Sequence, residues 1–312
     1  MIILTGLRFP AVLVLPIGAA IMSACTSRAG EQGAAGGADT AASLKNGGPL
    51  ASPAGFSGPE AVRYDPEQDV YFVSNFNGRG MAADNNGFIS RLSTDGTIEQ
   101  LQFIAGGANG ITLHAPRGMA IVGDTLWAAD VDAVRGFHRR SGAAVATVDF
   151  TGRDVGFLND IAAGPDGALY VTDTGKNRIY RITGGAVSVA VEDTTLGSPN
   201  GIAWDEAKGH FIVVPYGGGQ AIRSWRPEST SLEEIGTSPG AEFDGVEVLS
   251  NGRVLVASQK DSSLHLFENG LGRPIIRTAG QPADIGVDTK RNRVAVPFIA
   301  RNRVDIWQLP QD

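Results

Sequence analysis

Phe243-Asp244-Gly245-Val246 is the fifth statement of a four-residue phrase that the chain makes six times. The others are Pro59-Glu60-Ala61-Val62, Pro116-Arg117-Gly118-Met119, Leu158-Asn159-Asp160-Ile161, Pro199-Asn200-Gly201-Ile202 and Pro282-Ala283-Asp284-Ile285. Successive copies lie about 40 residues apart, the first interval being longer, and a period of that size marks a repeat architecture. After each phrase comes a turn with Gly or Asp, then an apolar burst: residues 70–73, 126–129, 169–172, 211–214, 254–257 and 294–297.

Two strands joined by a turn, followed by two weaker ones, make a four-stranded antiparallel sheet of the size of one propeller blade. Six phrases therefore predict an all-β, six-bladed propeller over residues 57–312. No helical period of 3.6 is sustained for ten residues, and the apolar runs are strand-length, separated by Gly, Asn, Asp and Ser. Blade one has a long second connection at 77–87, which accounts for the wide first interval. Blade six reaches Asp312 without a fourth strand. A ring left open there would expose a sheet edge. Residues within 42–56 are therefore expected to supply that strand and tie the ring shut.

The chain has 312 residues, a net charge of −7 and 42 glycines. The acidic balance argues against nucleic acid, which calls for a basic face. Residues 1–25 are largely apolar, with Arg8 the only charge, and end Met22-Ser23-Ala24-Cys25. They read as an export signal. Cys25 is the only cysteine and stands where the bacterial lipobox, which this run resembles, has its lipidated residue. Thr26 follows it rather than Asp, which by the same resemblance points to the outer membrane. Residues 26–56 are rich in Gly, Ala and Ser and read as a flexible tether. The expectation is a monomer, lipid-anchored through Cys25 at the periplasmic side of that membrane and touching it through the lipid alone.

In a propeller the first strand of each blade lines the central channel, and side chains alternate along it. The second residue of each phrase should therefore face the axis: Glu60, Arg117, Asn159, Asn200, Asp244 and Ala283. Two carboxylates about 4–5 Å apart repel by about 3–4 kcal/mol at an effective dielectric of 20, so something positive must offset them. Arg117 could do so. The donors are all oxygen, with no His or Cys among them, and such a set suits calcium better than zinc. The alternative reading of the same residues is turn capping between blades.

These residues resemble the calcium-dependent six-bladed propellers of the gluconolactonase, senescence-marker-protein (regucalcin) and paraoxonase superfamily. That pattern has a Glu opening blade one, Asn-Asp in blade three, Asn-Gly in blade four and Asp-Gly in blade five. Glu60, Asn159-Asp160, Asn200-Gly201 and Asp244-Gly245 match it in order and spacing. The resemblance implies metal ligation by Glu60, Asn159, Asn200 and Asp244. It implies hydrolysis of a lactone or related ester, with the metal polarising the carbonyl and activating a water, and Asp244 as general base or nucleophile. The chain departs from the pattern at three places. Ala61-Val62 stands for Gly-Pro, Phe157 for the arginine of the sugar-lactonase branch, and Arg117 for the histidine of the paraoxonases.

Arg117, Asn159 and His114 are the candidate substrate contacts, Arg117 either binding an anionic group or carbonyl or neutralising the carboxylates. His114 lies in the loop entering blade two. His138, His210 and His265 read as structural, and Asp130 and Asp173 as organisers of turns. Two functions follow. One is a calcium-dependent lactonase or esterase at the cell envelope. The other is a non-catalytic propeller that binds a peptide, a glycan or a protein.

Overall fold

The computed structural model describes residues 47–217 and 219–311. The export signal, Cys25 and most of the tether lie outside them. Among the described residues there are 23 strands and two single 3₁₀ turns, and no helix is long and apolar enough to cross a membrane.

Blade one comprises β1 (Pro59–Asp65), β2 (Val70–Asn75), β3 (Phe88–Ser93) and β4 (Ile98–Ala105), hydrogen-bonded in chain order. Blade two is β5 (Met119–Val122), β6 (Thr125–Ala129), β7 (Ala133–His138) and β8 (Ala144–Asp149). Blade three is β9 (Leu158–Ala163), β10 (Leu169–Asp173), β11 (Arg178–Thr183) and β12 (Ala186–Glu192). Blade four is β13 (Pro199–Asp205), β14 (His210–Pro215), β15 (Ala221–Trp225) and β16 (Leu232–Thr237). Blade five is β17 (Phe243–Val248), β18 (Val254–Ser258), β19 (Ser263–Glu268) and β20 (Leu271–Arg277). The outer strands of blades four and five touch through one parallel bridge, Thr237 to Leu271. Blade six has three strands of its own, β21 (Gly286–Asp288), β22 (Arg293–Phe298) and β23 (Arg303–Gln308).

The missing strand comes from the N-terminal side. Ala51 and Ala54 bridge antiparallel to Ile306 and Arg303. Backbone bonds run from Leu50 N to Ile306 O (2.7 Å), Ile306 N to Ala51 O (2.9 Å) and Val304 N to Pro53 O (3.0 Å). The edge of β23 is thereby paired, as ring closure requires.

The core lies between blades. Phe72, Ile89, Leu126 and Phe137 join blades one and two in one buried cluster. Tyr170, Phe211 and Trp225 join blades three and four in another, with Tyr170 and Phe211 ring centroids 4.5 Å apart. Each sheet thus packs on the next, and the apolar interior is a series of layers between blades rather than one central core.

The repeated phrase has a distinct local geometry. In blades one, three, four and five the ladder between first and second strands is irregular at the phrase. The irregularity falls between Pro59 and Val62, and likewise between Pro199 and Ile202 and between Phe243 and Val246. Such an irregularity frees ladder groups and re-aims a side chain. The freed amides are satisfied by hydroxyls of the second strand: Ala61 N donates to Ser74 Oγ (2.9 Å) and Asp160 N to Thr172 Oγ1 (2.9 Å). Just before the phrase, Asp130 accepts the His114 and Ala115 amides and Asp173 those of Gly156 and Phe157. Both aspartates thus clamp the turn that leads into their blade's first strand.

Candidate metal centre in the central channel

The irregularity brings four anchors to one place. Glu60, Asn159, Asn200 and Asp244 line a single cavity of about 350 Å³ with Phe76, Phe157, Thr174, Tyr216, Gln259 and Ile299. Each anchor is at most 5% exposed. Ala283, the sixth anchor, is buried but is not among the residues that line this cavity.

Neighbouring side chains orient the donors. Asn159 Nδ2 donates to Thr174 Oγ1 (3.0 Å), which in turn donates to Pro199 O (2.7 Å). Gln259 Nε2 donates to Asp244 Oδ2 (2.5 Å). What remains is informative. Glu60 Oε2, Asn159 Oδ1 and Asp244 Oδ1 are buried and have no hydrogen-bond partner. A buried acceptor left alone costs about 1–3 kcal/mol, more when charged, and here three belong to residues that line one cavity. Burial pushes the Glu60 carboxyl well above the usual range, reinforced by Asp244 and Asp160 and opposed by Arg117. Burial likewise pushes Asp244 up to about 7, with the Gln259 hydrogen bond pulling down and Asp160 pushing up. A hard divalent cation fits this donor set, since it would satisfy the lone oxygens and offset the paired carboxylates.

Arg117 and His114 are not brought into the cavity. Arg117 is fully buried, with its guanidinium over the Phe157 ring at 3.9 Å. It donates to Leu158 O (2.9 Å) and to Gly80 O. His114 Nδ1 accepts the Asn85 amide at 2.9 Å.

A second group has metal-like spacing. Ligand atoms of His114, Asp130 and Asp132 lie within 4.8 Å of one another. Arg135 already occupies that site, with Nε 2.6 Å from Asp130 Oδ2 and Nη2 2.7 Å from Asp132 Oδ1. An added cation would meet a guanidinium there, so the group is an ion-pair knot rather than a second centre.

Sequence reasoning passed over a second set of residues. Phe76, Thr174, Tyr216, Gln259 and Ile299 each stand immediately after the second strand of a blade. Repeat register, the rule that located the anchors, would have found them. It also passed over the far end of the channel. One residue after the anchors come Asp160 and Asp284, and three residues after come Arg63 and Glu247. Arg63 Nη1 pairs with Glu247 Oε1 at 2.7 Å, and Nη2 lies 3.7 Å from Asp284 and 4.0 Å from Asp160. Beyond them a cavity of about 490 Å³ opens at the opposite mouth, walled by Ala120, Ala162, Ala203 and Trp204.

No protein-family model matches the chain, and no curated protein matches it in sequence. Solved structures do match in fold. A gluconolactonase from Xanthomonas campestris superposes with a TM-score of 0.65 at 18% identity, covering 84% of this chain and 89% of its own. A catalytically inactive virginiamycin B lyase from Staphylococcus aureus with quinupristin superposes at 0.57 and 15% identity, covering 83% of this chain and 99% of its own. A chain of a nidogen/laminin complex superposes at 0.56 and 17% identity, covering 72% and 91%. The likeness is one of fold: gluconolactonases are among the structural neighbours, and so are a lyase and a chain of a nidogen/laminin complex. Function must be argued from the site.

Proposed function

We propose that the chain is a metal-dependent hydrolase of lactones or related esters, with calcium the best-fitting cation. The supporting observation is that three buried oxygens without a hydrogen-bond partner, from Glu60, Asn159 and Asp244, belong to residues lining one cavity. Glu60, Asn159, Asn200 and Asp244 would hold the ion. A bound divalent cation supplies Lewis acidity toward an ester carbonyl.

The chain's own groups do the rest. Gln259 holds Asp244 Oδ2 and leaves Oδ1 without a partner in a residue that lines the cavity, so the free oxygen takes the proton of an attacking water. Thr174 fixes the Asn159 amide with its oxygen toward the ring. Phe76, Phe157, Tyr216 and Ile299 wall the cavity, holding the acyl part of a substrate and limiting water. Export and anchoring through Cys25 belong to the same proposal, and mass spectrometry of the processed N-terminus tests them.

The decisive experiment is calcium titration with turnover of a lactone and ester panel. Activity should depend on calcium and fall by about 10³-fold or more in Asp244→Asn, the scale expected when a general base is lost. Calcium bound tightly with no turnover of any lactone or ester would favour the non-catalytic binding propeller. No calcium binding at all would remove the metal centre itself.

A further inference from the structure

We propose that Arg117 and His114 are positioning residues that strap the 77–87 connection beside the channel mouth, and that this use of Arg117 makes the cavity select uncharged over anionic substrates. The inference rests on the catalytic reading only in its second half.

The connection has no counterpart of its length in the other blades and leaves β2 on the face where the anchors sit. It is fastened at two points. At the first, the Arg117 guanidinium donates to Gly80 O and lies 3.5 Å from Met81 Sδ. It also packs against Phe76, 5.8 Å from the ring centre, and Phe157, 3.9 Å away. Both aromatic rings line the cavity. Gly80 is closed on Phe76, since a Cβ there would stand 3.1 Å from the ring. At the second point, His114 Nδ1 accepts from Asn85 N, and Asn85 Oδ1 accepts from Leu113 N at 2.8 Å. Asn77 Nδ2 closes the base of the connection on Asn86 O at 2.8 Å.

The consequence for recognition follows from charge. Arg117 is fully buried behind Phe157. None of the ten residues lining the cavity is Lys, Arg or His. With the ion held by Glu60 and Asp244 and taken up by the lactone carbonyl, a carboxylate or phosphate substituent elsewhere on the substrate would lie against Phe76, Phe157, Tyr216 and Ile299 with no facing guanidinium or ammonium, and an anion desolvated without a partner is strongly disfavoured. An alkyl substituent packs on that wall with no charge to desolvate.

The test uses full-length protein with calcium, the variants Arg117→Met and His114→Leu, and two lactones of one ring size, one alkyl-substituted and one carboxylate-bearing. Amide hydrogen exchange in 78–86 should rise in both variants, whatever the enzyme does. For the alkyl lactone, KM should rise about tenfold with kcat nearly kept in His114→Leu, the pattern of lost ground-state positioning. Wild type should prefer the alkyl lactone by a hundredfold or so, the scale of an unpaired charge. Unchanged exchange in both variants would overturn the strap. Equal turnover of both lactones would overturn the selectivity. Turnover of neither lactone would count against the catalytic reading, while exchange would still decide the strap. His114→Leu acts at the outer fastening, so a folding failure of Arg117→Met does not remove the test.

Discussion

At Gly118, Gly201 and Gly245 the side chain is absent because the neighbouring blade is already there. A Cβ on Gly201 would stand 2.3 Å from Asp244 O, and one on Gly118 or Gly245 would run into Asp160 or Ile285 and Asp284. The residue after each anchor must therefore be small wherever inner strands approach most closely. Gly201→Ala should cost about 1–3 kcal/mol, the range for overpacking. Because it pushes on the Asp244 backbone, it should also weaken calcium binding; denaturant melts and calorimetry read the two effects. The anchors were legible in the sequence because six copies of one phrase align themselves. Arg117 aligns equally well, yet its role was not legible. Its partners Gly80 and Met81 sit in a connection with no equivalent in other blades, and register says nothing about such a segment.

The first strand works as an element only together with the second. Thr172 Oγ1 accepts the Asp160 amide and donates to Asn200 O at 2.7 Å, so one hydroxyl links the disturbed ladder of blade three to blade four. Thr172→Val keeps the shape and removes both bonds. It should lower stability by about 1–3 kcal/mol, the cost of unpaired buried groups, while Thr172→Ser should retain most of it; urea unfolding compares them. Strand order and blade number were readable because turn residues and apolar bursts recur with the period. The hydroxyls were not, since a burst reads as apolar core; the lining residues after each second strand follow the same register but read, one blade at a time, as the start of a turn. Asp130 and Asp173 were readable, because a carboxylate beside a turn has a known local use.

The whole ring depends on closure and on the charge stored along its axis. Closure was legible from a deficit: blade six lacked a strand, and the segment at Ala51 to Ala54 fills it. The axial charge was not, because Arg63, Glu247, Asp160 and Asp284 meet only through the circular arrangement. Burial pushes the Glu247 carboxyl from 4.5 up to about 7; Arg63 opposes the shift and Asp160 adds to it. A carboxyl raised in the folded state binds its proton more tightly there than in the unfolded chain. Its contribution is therefore fully present below about pH 4.5 and lost as pH rises through 7, by up to about 3 kcal/mol at 1.36 kcal/mol per unit. Glu247→Gln keeps an acceptor for Arg63 and removes the titration. Metal-free wild type should lose stability between pH 4.5 and 7.5 more steeply than this variant in guanidinium unfolding series, and parallel slopes would show that the Arg63–Glu247 pair carries none of the dependence.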